Sequence, residues 1–252
     1  SIALWRVWLE LGGIAPKYLA GHSLGEYSAL VAAEVMTLAD AVKLVHLRGK
    51  LMQSAVPQGT GAMAAILGLA DEKVIELCQK VNASAAGQGS VEAANYNAQG
   101  QVVIAGSTAL VQQVMAEAKE QSGKAIALPV SVPSHCTLMK PAAEKFAEAL
   151  EQTAIELPHL PVIQNVNAEI ATDVAQLRQA LTAQLYQSVQ WTRTMQYLQD
   201  QGIQYVVECG PGTVLSNLAK RLPNIEKAFA IDSKARMEDA LNAVLVAEGK
   251  IA

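Results

Sequence analysis

Tyr18-Leu19-Ala20-Gly21-His22-Ser23-Leu24-Gly25-Glu26-Tyr27 is the stretch around which the chain is organised. It contains Gly21-His22-Ser23-Leu24-Gly25, a G-x-S-x-G pattern. Pro16 to Ala20 reads as a short buried strand behind a proline. Leu24 to Val35 reads as a helix with small residues on one side. A strand that turns this sharply into a helix forces its central residue into a strained backbone geometry, and flanking glycines remove the side chains that would clash there. The Ser23 hydroxyl is then exposed at a helix N-terminus, where the dipole and free N–H groups favour a developing oxyanion. A serine between glycines is also an ordinary helix N-cap, so a reaction requires a base as well.

Composition narrows the classes. The 252 residues are 51% hydrophobic and 17% charged, enough to bury a sizeable core. A net charge of −4 argues against a nucleic-acid partner. Cys78, Cys136 and Cys209 are odd in number and lack metal or disulfide spacing, which points to buried thiols in a reducing, cytoplasmic setting. No apolar run reaches the ~18 residues of a membrane span. Ser1 to Leu9 is amphipathic from its first residue, so the chain is expected to begin inside an element.

The outward reading gives an α/β fold. Thr37-Leu38-Ala39-Asp40 has capping-box spacing and opens a helix to about Ala55. Gly61 to Val130 has the order β-α-β-β-α-β of a ferredoxin-like unit, bracketed by Pro57-Gln58-Gly59 and by Pro129 and Pro133. Beyond it, strand and helix alternate to the end. The expectation is therefore a large body, residues 1–58 and 131–252, with a mostly parallel sheet and helices on both faces. A small ferredoxin-like subdomain, residues 59–130, is inserted into it. Lys220 and Arg221 read as a solvated helix end.

Two further residues bear on chemistry. Arg48 is four residues from both Leu44 and Met52 and so lies on the apolar stripe of its helix. An arginine there is a structural ion pair, a side chain snorkelling to the rim, or a fork for a ligand carboxylate or phosphate. Of the four histidines, His22 is locked in the serine turn, His46 sits on a solvated face and His159 lies in a connecting loop. His135, on a loop between a strand and a helix, is the base candidate by elimination. An α/β-hydrolase would place an acid between serine and histidine. The only aspartates there, Asp40 and Asp71, open helices. A Ser–His pair oriented by a carbonyl still performs acyl transfer, and suits a thiol acceptor better than water.

The motifs Gly21-His22-Ser23-Leu24-Gly25-Glu26, Arg48-Gly49-Lys50, Asn95-Tyr96-Asn97, Val132-Pro133-Ser134-His135, Gln184-Leu185-Tyr186 and Glu208-Cys209-Gly210-Pro211-Gly212 together resemble the malonyl-CoA:acyl-carrier-protein transacylases of bacterial fatty-acid synthesis. The resemblance runs the length of the chain. It implies Ser23 as nucleophile, His135 as base and the backbone carbonyl of Gln184 as the group orienting that base. It further implies Arg48 as the malonyl-carboxylate ligand, the Leu24 N–H as an oxyanion-hole donor and Asn97 near the substrate channel. Malonyl-CoA is then a substrate, acyl carrier protein the partner, no cofactor or metal is needed, and the enzyme is a monomer. That family opens with a strand and a Gly-Gln-Gly-Ser-Gln loop giving a second oxyanion donor, which this sequence lacks. Gly87-Gln88-Gly89-Ser90 imitates the loop but precedes a strand of the subdomain. A serine esterase or thioesterase, and a non-catalytic carrier-docking module, are the alternatives.

Overall fold

A computed structural model describes residues 1–250. In chain order the elements are α1 (Ile2–Glu10), β1 (Leu19–Ala20), α2 (Gly25–Ala32), α3 (Leu38–Ser54), β2 (Gly61–Leu67), α4 (Asp71–Ser84), β3 (Val91–Ala98), β4 (Gln101–Ser107), α5 (Thr108–Glu120), β5 (Lys124–Ala127), α6 (Lys140–Gln152), β6 (Val162–Ile163), α7 (Val174–Ala183), α8 (Trp191–Asp200), β7 (Tyr205–Glu208), α9 (Val214–Ala219), β8 (Lys227–Ala230) and α10 (Lys234–Ala247). The chain is thus an α/β protein.

The residues that follow β1 define the body. Leu19 and Ala20 pair in parallel with Val162 and Ile163 of β6, and β7 pairs in parallel with β8. The body strands therefore form two parallel pairs. A groove of about 520 Å³ runs between them, lined by Leu19 and Ala20 on one side, Tyr205 to Glu208 on the other, and Ser28, Ala29 and Ala32 of α2. The helices explain the largest core. Tyr27 and Leu30 of α2, Leu44 and Met52 of α3, Phe146 and Leu150 of α6, and Leu177 and Leu181 of α7 form one buried cluster. Their spacings of three, four and eight residues make a single apolar stripe on each helix.

Helix α2 is shorter than its periodicity predicts. Glu34 adopts φ +62, and the Val35 N–H reaches back to the Leu30 carbonyl at 2.9 Å. That left-handed closure ends the helix at Ala32, so Val35 packs from outside it. The Thr37 cap forms as expected, with Thr37 Oγ1 accepting from the Asp40 N–H at 3.1 Å.

Residues 61–127 form an antiparallel sheet in the order β3-β4-β2-β5 with α4 and α5 on one face. The two-residue side-chain period divides β4: Val102 and Ile104 pack under the helices, while Val103 and Ala105 pack with Met63, Ala94 and Cys136. The second face is therefore covered by the loop that carries His135. Gly87 to Ser90 is a turn leading into β3, far in sequence from the serine turn. Cys78 and Cys136 are buried, Cys209 is half-buried, and all three are free thiols.

Candidate active site

The β1–α2 corner builds the first part of the site. Ser23 has φ +51, a left-handed backbone that a non-glycine residue adopts at a cost of ~1–2 kcal/mol. Gly21 is required here. A Cβ at that position would lie 2.0 Å from the Gly25 carbonyl oxygen. A Cβ at Gly25 would meet open space, so the expected demand for glycine holds on one side of the serine only. The Leu24 N–H, at the mouth of α2, has no acceptor among the described residues, and the Leu24 side chain is exposed. It is a donor of the kind an oxyanion needs.

The second part comes from the loop between β5 and α6. His135 is 3% exposed and also has a positive φ, +63. It is lashed at two points: its backbone N–H donates to the Leu185 carbonyl at 3.0 Å, and its ring Nδ1 to the Gln184 carbonyl at 2.7 Å. That second bond fixes the tautomer and leaves Nε2 as an acceptor, 2.8 Å from Ser23 Oγ. Gln184 is the C-cap of α7, so its carbonyl belongs to the partially negative end of a helix. That carbonyl stands where many hydrolases place a carboxylate. Burial, reinforced by the Arg48 charge, lowers the His135 pKa to about 3.

Arg48 supplies the third part, from the apolar stripe of α3. It is 7% exposed and joins no ion pair among the described residues. Its Nη2 donates to Ser23 Oγ at 3.2 Å and to Gln184 Oε1 at 3.1 Å, and its guanidinium lies 5.8 Å from the centre of the Tyr27 ring. Neither the structural ion pair nor the snorkelling side chain is what the fold contains. The cation is held by neutral acceptors and an aromatic face, with charge left to offer a ligand.

Sequence reasoning missed Glu26, Asn165 and the side chain of Gln184. Gln184 Nε2 donates to Glu26 Oε2 at 2.5 Å and to the Ser23 carbonyl at 3.0 Å. The amide is thereby oriented with its oxygen towards Arg48. Glu26 is fully buried, and burial raises its pKa to about 7. Asn165, just after β6, accepts from the Ser23 N–H at 2.6 Å and donates to the Gly21 carbonyl at 2.7 Å. An acid in the first turn of an otherwise apolar helix was the one readable signal for Glu26. The polar pair Gln164-Asn165 directly after the apolar run Pro161 to Ile163 was the signal for Asn165.

Asn97 stands one step further out. Its Oδ1 lies 2.8 Å from Nε2 of His22, whose ring tilts against Trp191 at 5.5 Å. Burial lowers the His22 pKa. The structure thus brings Ser23, Leu24, His135, Arg48 and Gln184 to one place, and Asn97 to its flank through His22. His46 is exposed on α3, and His159 pairs with Glu34 at the surface. Lys220 and Arg221 are exposed just after α9, as expected, and Arg221 Nη1 also donates to Gln101 Oε1 of the small sheet at 2.8 Å.

This arrangement can activate a hydroxyl, take up its proton, stabilise an oxyanion and hold an anionic substituent beside the reacting carbon. It also fixes a pH response. The His135 pKa lies below its free value, so the ring stays neutral and basic as pH falls through 6.5. The acid limb of kcat/KM should therefore lie well below pH 6. Initial rates from pH 5 to 8 test this, and a limb centred near 6.5 would contradict it.

The family model described as the acyl transferase domain matches residues 1–240. A malonyl CoA-acyl carrier protein transacylase of Salmonella typhimurium is 49% identical over 242 residues, covering 96% of this chain and 77% of that protein. The crystal structure of FabD from Acinetobacter baumannii superposes with a TM-score of 0.95 at 89% identity, covering 98% of this chain and 78% of that one. A malonyl-transacylase solved in complex with its type II polyketide acyl-carrier protein superposes with a TM-score of 0.92 at 46% identity, covering 96% of this chain and 77% of that one.

Proposed function

This chain belongs to the acyl transferase domain family, and on that premise we propose that it transfers malonyl groups from malonyl-CoA to the pantetheine thiol of acyl carrier protein, in fatty-acid biosynthesis. Ser23 Oγ attacks the thioester carbonyl while His135 Nε2 takes its proton. The Leu24 N–H donates to the oxyanion, and Arg48 binds the free malonyl carboxylate. Collapse breaks the C–S bond. The proton on His135 passes to the departing CoA thiolate, leaving a malonyl ester on Ser23. The pantetheine thiol then gives its proton to His135 and attacks that ester. Ser23 recovers the proton as malonyl-pantetheine leaves. These steps are proton transfer and acyl exchange, and they call on no metal or prosthetic group.

The observation that carries this reading is the guanidinium 3.2 Å from the nucleophile with no carboxylate of its own. The structural frame fits the same reading. The strand order β3-β4-β2-β5 with α4 and α5 supports treating residues 59–130 as a ferredoxin-like subdomain. Residues 1–58 and 131–252 are then the acyltransferase body. We place Asn97 at the channel wall, acting through His22. A monomer in the cytoplasm completes the proposal. Three free thiols support the cytoplasmic placement.

Intact-mass measurement after mixing with malonyl-CoA provides the test. The protein should gain one malonyl group, mapped to Ser23, and Ser23→Ala should gain none. Label retained by Ser23→Ala would remove the nucleophile from this account. The esterase alternative predicts release of malonate without a thiol acceptor, and the docking alternative predicts carrier binding without any acyl-enzyme.

A further inference from the structure

We propose that Asn165 is a positioning residue for the nucleophile, its side-chain amide clasping both flanks of the serine turn so that Ser23 is held in its left-handed conformation with the Leu24 N–H left free. The proposal rests on Ser23 being the nucleophile. Asn165 Oδ1 accepts from the Ser23 N–H at 2.6 Å, and Nδ2 donates to the Gly21 carbonyl at 2.7 Å. The two backbone groups lie on either side of His22 and have opposite polarity. A primary amide carries an acceptor and a donor on adjacent atoms, so it can close both at once. A carboxylate would satisfy the Ser23 N–H but set a second oxygen against the Gly21 carbonyl. An aliphatic side chain would satisfy neither.

Asn165 is itself fixed. It is 1% exposed, and its own carbonyl accepts from the Gln190 N–H at 2.7 Å. It follows β6, whose register sets Ile163 opposite Ala20, so the strand pairing delivers the amide to the turn. On the other side, the Ser23 carbonyl accepts from Gln184 Nε2 at 3.0 Å and from the Glu26 N–H at 3.1 Å. With the Ser23 N–H occupied by Asn165, the Leu24 N–H at the mouth of α2 remains available for an oxyanion. A turn released from the clasp would let the serine relax from φ +51, moving Oγ off His135 and Leu24 N–H off the reacting carbonyl.

The test uses Asn165→Leu and Asn165→Asp in the whole chain, each with two readouts. One is the rate of Ser23 labelling by an alkyl fluorophosphonate. The other is single-turnover acylation by malonyl-CoA, with circular dichroism and thermal unfolding confirming that the protein is folded at the assay temperature. Both rates should fall about 10- to 100-fold, the scale of a misplaced reacting group. The preference for malonyl-CoA over acetyl-CoA should stay unchanged. A folded variant labelled and acylated at the unaltered rate would overturn the proposal. Should Asn165→Leu fail to fold, Asn165→Asp decides, since it keeps the side-chain volume and the acceptor for the Ser23 N–H. The two readings fail separately. If the unaltered protein takes the phosphonate on Ser23 but no malonyl group, the transacylase reading falls and the clasp stands or falls on the phosphonate rates. If it takes both and the variants match it, only the clasp falls.

Discussion

Replacing His135 with asparagine is expected to slow malonyl transfer to Ser23 by at least about 10³-fold, with little change in fold or in malonyl-CoA affinity. The histidine is the one basic atom within hydrogen-bond reach of the hydroxyl, at 2.8 Å, while the other neighbour, Arg48, only donates. Without a base, Ser23 must lose its proton to water in a pocket where the imidazole is 3% exposed and water has little access. Asparagine is the informative replacement because His135 has φ +63, a region that asparagine adopts more readily than alanine. The backbone bond to the Leu185 carbonyl should survive, so the loss reports on the imidazole alone. Rapid-quench measurement of the acyl-enzyme, with thermal unfolding alongside, gives the answer. A fall of less than about tenfold would show that another group takes the proton.

The same geometry bears on how a carbonyl would serve behind this histidine in the proposed mechanism. A carboxylate would stabilise the imidazolium more strongly and raise the pKa of the ring. Here a neutral oxygen at a helix C-terminus orients the ring at 2.7 Å, while burial and the Arg48 charge act against protonation. The proton taken from serine is thus held weakly and is readily passed to a departing thiolate. That balance favours exchange between thiols over prolonged activation of water, which is where the transferase and thioesterase readings part.

What could be read from sequence was whatever a single element decides. The serine turn follows from a glycine before the nucleophile and a strand-to-helix change in period. The place of Arg48 on the stripe of α3 marked it as unusual but left its role open, and the family resemblance supplied the carboxylate-binding reading. The small antiparallel sheet is legible because its strands run four to eight residues in a β-α-β-β-α-β order between bracketing prolines. The body sheet is less so. Strands β1 and β6 have two residues each, too few for an apolar run to reveal what they pair with. A mostly parallel sheet was expected, and two parallel pairs flanking a groove are found. Asn165 and Glu26 escaped notice because their partners lie 142 and 158 positions away in sequence. No spacing rule carries that distance. From the residues alone His135 was reached by rejecting three other histidines, and the Val132-Pro133-Ser134-His135 motif then supported the same choice through the family resemblance.

Replacing Arg48 with alanine is expected to lower kcat/KM for malonyl-CoA by about 10²–10³-fold while changing that for acetyl-CoA by less than about tenfold, the scale of removing one member of a buried charge pair. The asymmetry follows from what each substrate brings. The malonyl carboxylate must leave water to reach Ser23, and an anion in a site this closed is costly unless a cation meets it. The acetyl group carries no such charge. Arg48 is ready for this role because its nearest carboxylate, Glu26, is reached only through the Gln184 amide, which holds both. A direct ion pair with Glu26 would have occupied the guanidinium fork. The interposed amide keeps the Glu26 carboxyl, its pKa raised to about 7 by burial, off the guanidinium and leaves the fork open. Loss of the arginine should also remove one of the influences that lower the His135 pKa, so that the acid limb of the acetyl-transfer profile moves upward. Competition between malonyl-CoA and acetyl-CoA, with the pH profile for acetyl-CoA, measures both consequences. An unchanged substrate ratio would make Arg48 a structural cation and leave malonyl recognition to another group.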